Sequence, residues 1–410
     1  MRLTRRELLT AAGCLPIAGL ALAKAPVARA GAPLPFKAGF APMAVTYLDS
    51  GSQHPVSLGA LQAVQNYLAR RALDPNAPED DRDDAGLLAK YARLVNADPD
   101  EVTFVQSTTT GEQMILRALG LPEAGGHVVC DTLHFFGSLP LYEEMARRGI
   151  KVTWVRDRDG RIELDDVRKA VRPGTKLVAL SLISTINGFQ HDLKAVCDIA
   201  HAAGALVYAD IIHAVGSVPV DLHASGVDFA SGASYKWLMG DFGLGFLYAR
   251  KDLLPRLERS NYGYYGMSAF QSHVYPFDPP GDTVVDYAFQ NNATGHFALG
   301  TRAHTVIAML HHSIDYLLAI GVENIQAHAQ TLIQRLREEL PARGYTVMTP
   351  PESKAPMIAC ACEDARTRLE PRLRDAGVKI TVSRNRFRVS TSVFNDLEDI
   401  ERLLEALGTA

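Results

Sequence analysis

The side chain with the clearest chemical potential in this chain is a lysine between two aromatic residues. Lys236 lies in the stretch 233–240, with Tyr235 before it and Trp237 after it. Apolar and aromatic neighbours can remove an amine from water, and a desolvated lysine becomes nucleophilic near neutral pH. This environment predicts a lysine that bonds covalently to a carbonyl group.

Two further residues precede this lysine in an order that suits one cofactor. Asp210 ends the apolar run 205–209, which is typical of a parallel strand buried on both faces, and strand ends of this kind point into a ligand crevice. His134 lies earlier, beside two phenylalanines. Pyridoxal phosphate needs a lysine for its aldehyde and a carboxylate to keep its pyridine nitrogen protonated. The three residues together therefore predict a pyridoxal phosphate site.

A hydroxyl-rich turn offers a place for the phosphate group. The turn 106–112 follows a strand pattern at 102–105 and opens a helical pattern, and it contains Thr108 and Thr109. Unpaired N–H groups at a helix N-terminus, together with hydroxyls, form a good phosphate cradle. The alternative interpretation of the same residues is an ordinary capped turn.

In this order and spacing the motifs resemble the class V aminotransferase group of fold-type I pyridoxal phosphate enzymes. That group includes cysteine desulfurases, isopenicillin N epimerase and kynureninase, and the similarity runs from 47–50 to 395–400. The segments 210–216, 226–230 and 234–236 are most similar to kynureninase. The resemblance implies an α/β fold, with a mainly parallel central sheet flanked by helices and a smaller α+β C-terminal domain.

The resemblance also implies roles for residues around the cofactor ring. Lys236 would be the Schiff-base lysine, Asp210 the partner of the pyridinium nitrogen, and His134 the imidazole stacked on the ring face. His213 would hydrogen-bond near the phenolate oxygen, where many relatives have glutamine. Thr185 falls where relatives often have an asparagine that touches the same oxygen. Without this context, a lysine such as Lys236 is more often a surface residue, and a satisfied core histidine is the alternative for His134.

Three more positions match the family pattern outside the ring. Tyr235 replaces a histidine of the desulfurases, and its hydroxyl would reach the phosphate. Thr294 aligns with a threonine that reaches the phosphate of the neighbouring subunit, which implies a homodimer with a shared active site. Arg388 matches the arginine that binds the substrate carboxylate with a planar, bidentate grip. Arg388 also alternates with Arg384 and Arg386 on one strand face, so an exposed strand residue is the alternative.

The N-terminus has the features of an export signal. Arg5 and Arg6 form a paired-arginine region, residues 8–23 are mostly apolar, and Ala28-Arg29-Ala30 is a small-x-small cleavage site. The apolar run is shorter than the roughly 20 residues that span a membrane, so we predict no stable membrane anchor. Residues 1–30 are therefore predicted to be a twin-arginine signal peptide and the mature protein to be periplasmic.

Composition excludes some other classes of protein. The formal net charge of −4 gives no reason to expect nucleic acid as a partner. The five cysteines form no disulfide framework and no metal-binding pattern, so we predict no metal site. Cys360 and Cys362 alternate in an apolar stretch and are expected in the core.

Alternating strand and helix patterns predict the domain organisation. Strands are predicted near 127–130, 151–155, 176–183, 205–209 and 243–249. Helices are predicted between them, for example at 138–148 and 192–203, and a further helical stretch at about 299–318. The region 261–292 is interpreted as a long loop. The chain divides into an N-terminal segment (31–55), a large pyridoxal phosphate-binding domain (56–290) and a small C-terminal domain (291–410).

The resulting hypothesis is an exported pyridoxal phosphate enzyme that acts at the α-carbon of an amino acid or of an amino-acid-containing, peptide-linked secreted metabolite. Lys236 would be the general base after the substrate amine displaces it. A racemase similar to isopenicillin N epimerase and a C–S or C–C lyase are alternatives. Desulfurases use a nucleophilic cysteine before the arginine, and 379–386 contains none. A catalytically inactive ligand-binding protein on the same fold is the alternative of another class.

Overall fold

The computed structural model describes residues 33–75 and 84–410. The predicted signal peptide therefore lies outside the described residues. The strands are β1 (Thr46–Tyr47), β2 (Val102–Val105), β3 (His127–Asp131), β4 (Lys151–Val155), β5 (Thr175–Ser181), β6 (Leu206–Asp210), β7 (Phe229–Ala233), β8 (Gly245–Ala249), β9 (Met267–Ser272), β10 (Val285–Phe289), β11 (Thr346–Val347), β12 (Met357–Ala361), β13 (Val378–Lys379), β14 (Thr381–Ser383) and β15 (Arg386–Ser390).

Helices connect and cover these strands. They are α1 (Leu58–Leu73), α2 (Asp84–Leu94), α3 (Thr108–Ala118), α4 (Leu139–Arg147), α5 (Leu164–Ala170), α6 (Leu193–Ala202), α7 (Leu222–Ser225), α8 (Ala293–Phe297), α9 (His304–Ile320), α10 (Val322–Ala342), α11 (Ala365–Asp375) and α12 (Leu397–Leu407). Polar side chains cap many of their first turns. Asp192, for example, accepts a hydrogen bond from the N–H of Ala195 at the start of α6.

A seven-stranded sheet organises the larger part of the molecule, with the order β2-β8-β7-β6-β5-β3-β4. Strands β3 to β7 run parallel to one another, and β8 runs antiparallel between β7 and β2. The helices α4 to α7 each connect two successive parallel strands. This mainly parallel sheet with flanking helices confirms the predicted fold class, and the predicted strands within it are confirmed to within a few residues.

Alternating side chains bury both faces of the sheet. In β6, Val207 and Ala209 pack into one hydrophobic core, whereas Leu206 and Tyr208 pack against a second core on the opposite face. Burying one aliphatic side chain stabilises a fold by about 1.5–3 kcal/mol. The continuous apolar run before Asp210 is explained by this two-sided burial.

A second, antiparallel sheet lies in the C-terminal part, with the order β11-β12-β15-β14. Its core contains Phe387, the helices α10 to α12 and Leu48 from the N-terminal segment. Helix α9, by contrast, contributes Ile307 and Leu310 to the core of the larger sheet. The division at residue 290 stays a prediction. Cys360 and Cys362 are buried, as expected.

The prediction of a long loop at 261–292 was wrong in part. Strands β9 and β10 form an antiparallel pair inside this region. Their side chains are largely exposed, including Phe270 and Tyr287. Proline, glycine and aspartate at 276–282 dominate the composition, and they hide the two short strands on either side.

No single helix in the described ranges is both long and apolar enough to cross a membrane. The bent pair α9 and α10 passes the same length and composition criteria together.

Candidate active site

The topology of the sheet brings Ser181, Asp210 and Lys236 to one edge. Ser181 ends β5 and Asp210 ends β6, and these two residues are paired in register. Lys236 follows the end of β7 by three residues, and β7 is the next strand along the sheet. Asp210 and Lys236 are both buried. Because the carboxyl ends of parallel strands form the crevice of such a sheet, the crevice contains both predicted residues.

The loop that carries Lys236 is held tightly against the protein. The hydroxyl of Ser234 donates to the backbone oxygens of Asp241 and Leu244. Gly216 has a φ of +85°, and a Cβ at this position would lie 2.5 Å from the backbone oxygen of Trp237. Only glycine combines this backbone conformation with so close an approach. The packing therefore fixes the backbone on both sides of the amine.

Hydrogen bonds around His213 determine the charge of the lysine. The Nζ atom of Lys236 lies 2.9 Å from Nε2 of His213, and the indole N–H of Trp237 donates to Nδ1 of His213 at 3.4 Å. A neutral imidazole has one N–H, and Nδ1 is already an acceptor, so the proton lies on Nε2. The Nε2–H group then donates to Nζ, which accepts only as an uncharged amine.

The electrostatic surroundings agree with this proton assignment. Burial and the nearby Arg388 lower the pKa of Lys236 to about 7, although Asp210 opposes them. Burial, Lys236 and Arg388 hold the pKa of His213 well below its usual range. Burial raises the pKa of Asp210. At pH values above about 7 the amine is therefore mainly neutral and nucleophilic.

His134 is connected to Asp210 through a single hydroxyl group. His134 is fully buried, and its Nδ1 lies 2.8 Å from the hydroxyl of Ser181. That hydroxyl donates to a carboxylate oxygen of Asp210 at 3.3 Å. On the opposite side, Nε2 of His134 lies 2.9 Å from the carboxylate of Glu112. The structure therefore brings His134 to the same edge as Asp210.

The N-terminus of α3 is also joined to this edge. Ser107 caps the helix by accepting the N–H of Thr110, and the hydroxyl of Thr108 accepts the N–H of Ala233 at the end of β7. The N–H groups of Thr108 and Thr109 precede the first intrahelical bonds, so they are available to an anion. Tyr235, beside Lys236, stacks on Phe242 with a ring distance of 4.4 Å.

Arg388 is buried, so the alternative of an exposed strand residue is wrong. Its Nη1 donates to the backbone oxygen of Thr185 at 3.2 Å and to the Thr185 hydroxyl at 2.7 Å. Its Nη2 donates to the hydroxyls of Ser52 and Thr381 and lies 3.8 Å from Asp49. The Nε atom has no hydrogen-bond partner among the described residues. The guanidinium is therefore held in place with one donor unused.

Two of the predicted threonines have contacts that the sequence did not indicate. Thr185 orients Arg388, as described above, and its predicted contact with the phenolate oxygen stays a prediction. Thr294 is buried, and its hydroxyl donates to the hydroxyl of Thr103 on β2 at 3.2 Å. The structure thus commits Thr294 to a contact within its own chain, and its predicted contact with a second subunit stays a prediction.

Sequence reasoning missed several residues of the site, namely Asp49, Ser52, Glu112, Ser181, Trp237 and Thr381. Glu112 had a usable signal, because it lies four residues after Thr108 and therefore on the same face of α3. The remaining contacts join segments that are far apart in the chain, and periodicity gives no information on them.

Comparisons with known proteins show which family the chain resembles along most of its length. The profile of the aminotransferase class-V family matches residues 86–403. A probable cysteine desulfurase of Methanothermobacter thermautotrophicus is 28% identical over 301 residues, which cover 71% of this chain and 71% of that protein. The probable cysteine desulfurase 2 of Mycobacterium leprae is 28% identical over 405 residues, which cover 88% of this chain and 90% of that protein.

Solved structures show the same fold at lower sequence identity. The complex of the cystine C–S lyase C-DES with its product cysteine persulfide has a TM-score of 0.77 and 19% identity, and it covers 89% of this chain and 98% of that one. The cysteine desulfurase CsdA from Escherichia coli has a TM-score of 0.76 and 19% identity, and it covers 91% of this chain and 96% of that one.

Replacing Trp237 with phenylalanine should make Lys236 harder to deprotonate. Without the indole N–H, Nε2 of His213 is free to accept a proton from the ammonium form of Lys236. One such hydrogen bond contributes about 1 kcal/mol, or roughly 0.7 pKa unit. We expect the pH midpoint for the reaction of the cofactor-free protein with pyridoxal phosphate, followed by visible absorbance, to rise from about 7.

Trp154 provides the matched control, because its indole N–H donates to the exposed Glu143 on the surface. Trp154→Phe should keep the wild-type midpoint. Equal midpoints in the wild type and in both variants would contradict the proton assignment of His213.

Proposed function

The chain belongs to the aminotransferase class-V family of pyridoxal phosphate-dependent enzymes, and we propose that it is an exported enzyme acting at the α-carbon of an amino acid or of a peptide-linked amino acid in a secreted metabolite. The observation that carries this proposal is that a buried lysine amine lies near a buried, preoriented guanidinium. Arg388 lies close enough to Lys236 to lower its pKa. An amino acid has an amine and a carboxylate, the two groups that these side chains would engage.

The described residues fit the cofactor. Lys236 supplies a neutral amine for its aldehyde, Asp210 a buried carboxylate for its ring nitrogen, and the first turn of α3 two free N–H groups for its phosphate. We propose that His134 lies on the ring face and that His213 lies near the phenolate oxygen. When bound, the cofactor accepts the electrons of a bond that breaks at the substrate α-carbon.

The chain itself supplies binding and proton transfer. Arg388, held by Thr185, Ser52 and Thr381, binds the substrate carboxylate and fixes the substrate in one orientation. Lys236 would hold the aldehyde of the bound cofactor and, once its amine is free, would take the proton from the α-carbon. A pKa of about 7 suits this general base, because the amine is available at neutral pH and can return the proton.

The cysteines favour a reaction that needs no protein thiol. Cys130, Cys197 and Cys360 are buried, and burial raises the pKa of each thiol above its usual range. A thiolate nucleophile requires a lowered pKa and access to the substrate. We therefore do not propose that this chain forms a persulfide on its own cysteine. A C–S lyase that releases sulfur without such a cysteine is the second candidate.

Export and dimer formation belong to the same proposal. The paired arginines at 5–6 and the apolar run at 8–23 support transport of the folded protein to the periplasm. A homodimer is expected for the family. The predicted contact of Thr294 with a second subunit belongs to this proposal.

Absorbance and product analysis test the proposed activity. The purified protein should show a visible band after incubation with pyridoxal phosphate, and amino acids should shift that band. Lys236→Ala should remove the band, whereas Lys194→Ala, at an exposed ion pair on α6, should keep it. Keto acid, ammonia and inverted stereochemistry, measured with free and peptide-linked amino acids, distinguish the reaction outcomes. A wild type that stays colourless would contradict the proposal.

Arg388→Lys should weaken the use of substrates that carry a free α-carboxylate. Lysine keeps the charge but lacks the Nε–H donor that Arg388 leaves unpaired among the described residues, and a charge-assisted hydrogen bond contributes about 1.5–3 kcal/mol. We expect kcat/KM to fall roughly 10- to 150-fold, mainly through KM. Arg384→Lys is the matched control on an exposed neighbour and should leave kcat/KM unchanged. A normal KM in Arg388→Lys would exclude Arg388 as the carboxylate site.

Replacing Arg5 and Arg6 together with lysine should retain the protein in the cytoplasm, because the predicted transport route reads the paired arginines. Cell fractionation with an antibody to the mature protein measures the result. Arg29→Lys, which lies at the predicted cleavage site, should still be exported. Export of the double variant at the wild-type level would refute a twin-arginine signal.

A further inference from the structure

A buried carboxylate lies behind His134 and is satisfied entirely by protein donors. Glu112 lies on α3 and is 2% exposed. One of its oxygens lies 2.9 Å from Nε2 of His134 and accepts the Tyr142 hydroxyl at 2.7 Å, and the other accepts the Ser138 hydroxyl at 2.6 Å. A buried glutamate usually takes up a proton unless charges and donors stabilise its anion. Glu112 has a nearby imidazole that can carry a positive charge and three hydrogen-bond donors, so we assign it as ionised.

The hydrogen bonds on the other side of the imidazole define its second proton. Nδ1 of His134 lies 2.8 Å from the Ser181 hydroxyl, which accepts the N–H of Phe135 and donates to Asp210. A hydroxyl has one proton, and Ser181 lies between two acceptors, Nδ1 of His134 at 2.8 Å and the Asp210 carboxylate at 3.3 Å. We assign the proton to the carboxylate, because a carboxylate is the stronger acceptor. Nδ1 must therefore carry its own proton and donate to Ser181. Nε2 faces a carboxylate, which only accepts, so Nε2 carries a proton as well.

We propose that His134 is a permanent imidazolium, with Nε2–H bound to Glu112 and Nδ1–H bound to Ser181, and that Glu112 is the positioning residue that maintains this charge beside the cofactor ring. The consequence for the cofactor rests on the proposed placement of His134 on the ring face. The charge itself rests on the hydrogen bonds of His134 and on the assignment of the Ser181 proton to Asp210, and not on the cofactor. Glu112 acts through His134 and does not touch the cofactor.

The groups that face His134 favour its charged form. Glu112 on α3, Asp131 on β3 and Asp210 on β6 are acidic, and Tyr142 on α4 is a phenol whose pKa burial raises well above its usual range. Burial lowers the pKa of His134, but these carboxylates outweigh burial and raise it above its ordinary value. Burial raises the pKa of Glu112, and His134 with the three hydrogen bonds reverses that effect.

A fixed positive charge on His134 would change the charge distribution and the acidity of a cofactor bound beside it. Negative charge accumulates in the cofactor ring when a bond at the α-carbon breaks, and a cation on the ring face stabilises that charge. The same cation makes protonated nitrogen groups joined to the ring more acidic. Glu112 also prevents loss of this cation at high pH, because separating the pair would leave a buried charge without a partner.

Measuring the ring nitrogens of His134 tests the proposal directly. The holoenzyme labelled with ¹⁵N-histidine, with the signal assigned by His134→Asn, should show both ring nitrogens protonated from pH 6 to 9. The same measurement after removal of the cofactor should give the same result. A neutral His134 in the wild type anywhere in this range would overturn the proposal. This measurement needs no variant that alters Glu112.

Glu112→Gln then tests the role of the carboxylate. Glutamine keeps the shape but has no charge, and its single oxygen can accept from only one of the Tyr142 and Ser138 hydroxyls, which contact different oxygens of Glu112. His134 should become neutral within the same pH range, and the pH midpoint of the visible band should rise by about 1 unit, because the variant lacks the cation that acidifies the chromophore. Glu144→Gln, at an exposed ion pair with Arg147 on α4, should change neither property.

The two readouts separate failure of this inference from failure of the proposed function. A doubly protonated His134 in Glu112→Gln would show that Glu112 does not maintain the charge. A neutral His134 in that variant with an unchanged midpoint would show that the imidazolium does not act on the cofactor, which would overturn the placement of His134 on the ring face. Absence of a visible band in the wild type would contradict the proposed function alone.

Discussion

The site depends on a lysine amine that the protein cannot easily protonate. Lys236 is buried, lies near the guanidinium of Arg388 and accepts a hydrogen bond from Nε2–H of His213. Each of these conditions disfavours an ammonium group, and together they keep a nucleophile available at neutral pH. The tautomer of His213 in turn depends on Trp237, the residue directly after the lysine. The same short loop therefore carries the nucleophile and the group that controls its proton.

The rest of the site consists of charges that are already paired before a substrate arrives. Arg388 lies opposite Asp49, His134 opposite Glu112, and Asp210 receives a hydroxyl proton at the end of its strand. Preoriented groups of this kind lose little freedom when they bind a ligand. Parallel strands supply the rigid frame, because β5, β6 and β7 end at one edge of a sheet that is buried on both faces.

The sequence predicts those site residues that belong to local patterns, and it does not predict those that act through contacts between distant segments. An apolar strand that ends in Asp210 and an aromatic-flanked lysine are local patterns, so both were predictable. Ser181 and Trp237 act through contacts between segments distant in the chain, which no local pattern reports. The strands β9 and β10 were missed because a proline- and glycine-rich turn dominates the composition between them. Thr294 fits a family pattern, yet its hydroxyl is used within its own chain.

Trapping the cofactor on the protein would identify directly the lysine that bonds to it. The purified protein would be incubated with pyridoxal phosphate, reduced with borohydride, digested and analysed by mass spectrometry. We expect the pyridoxyl group on the peptide that contains Lys236, with the other lysines unmodified at stoichiometric cofactor. Modification of a different lysine, or of none, would contradict the assignment of Lys236 as the nucleophile on which the whole site depends.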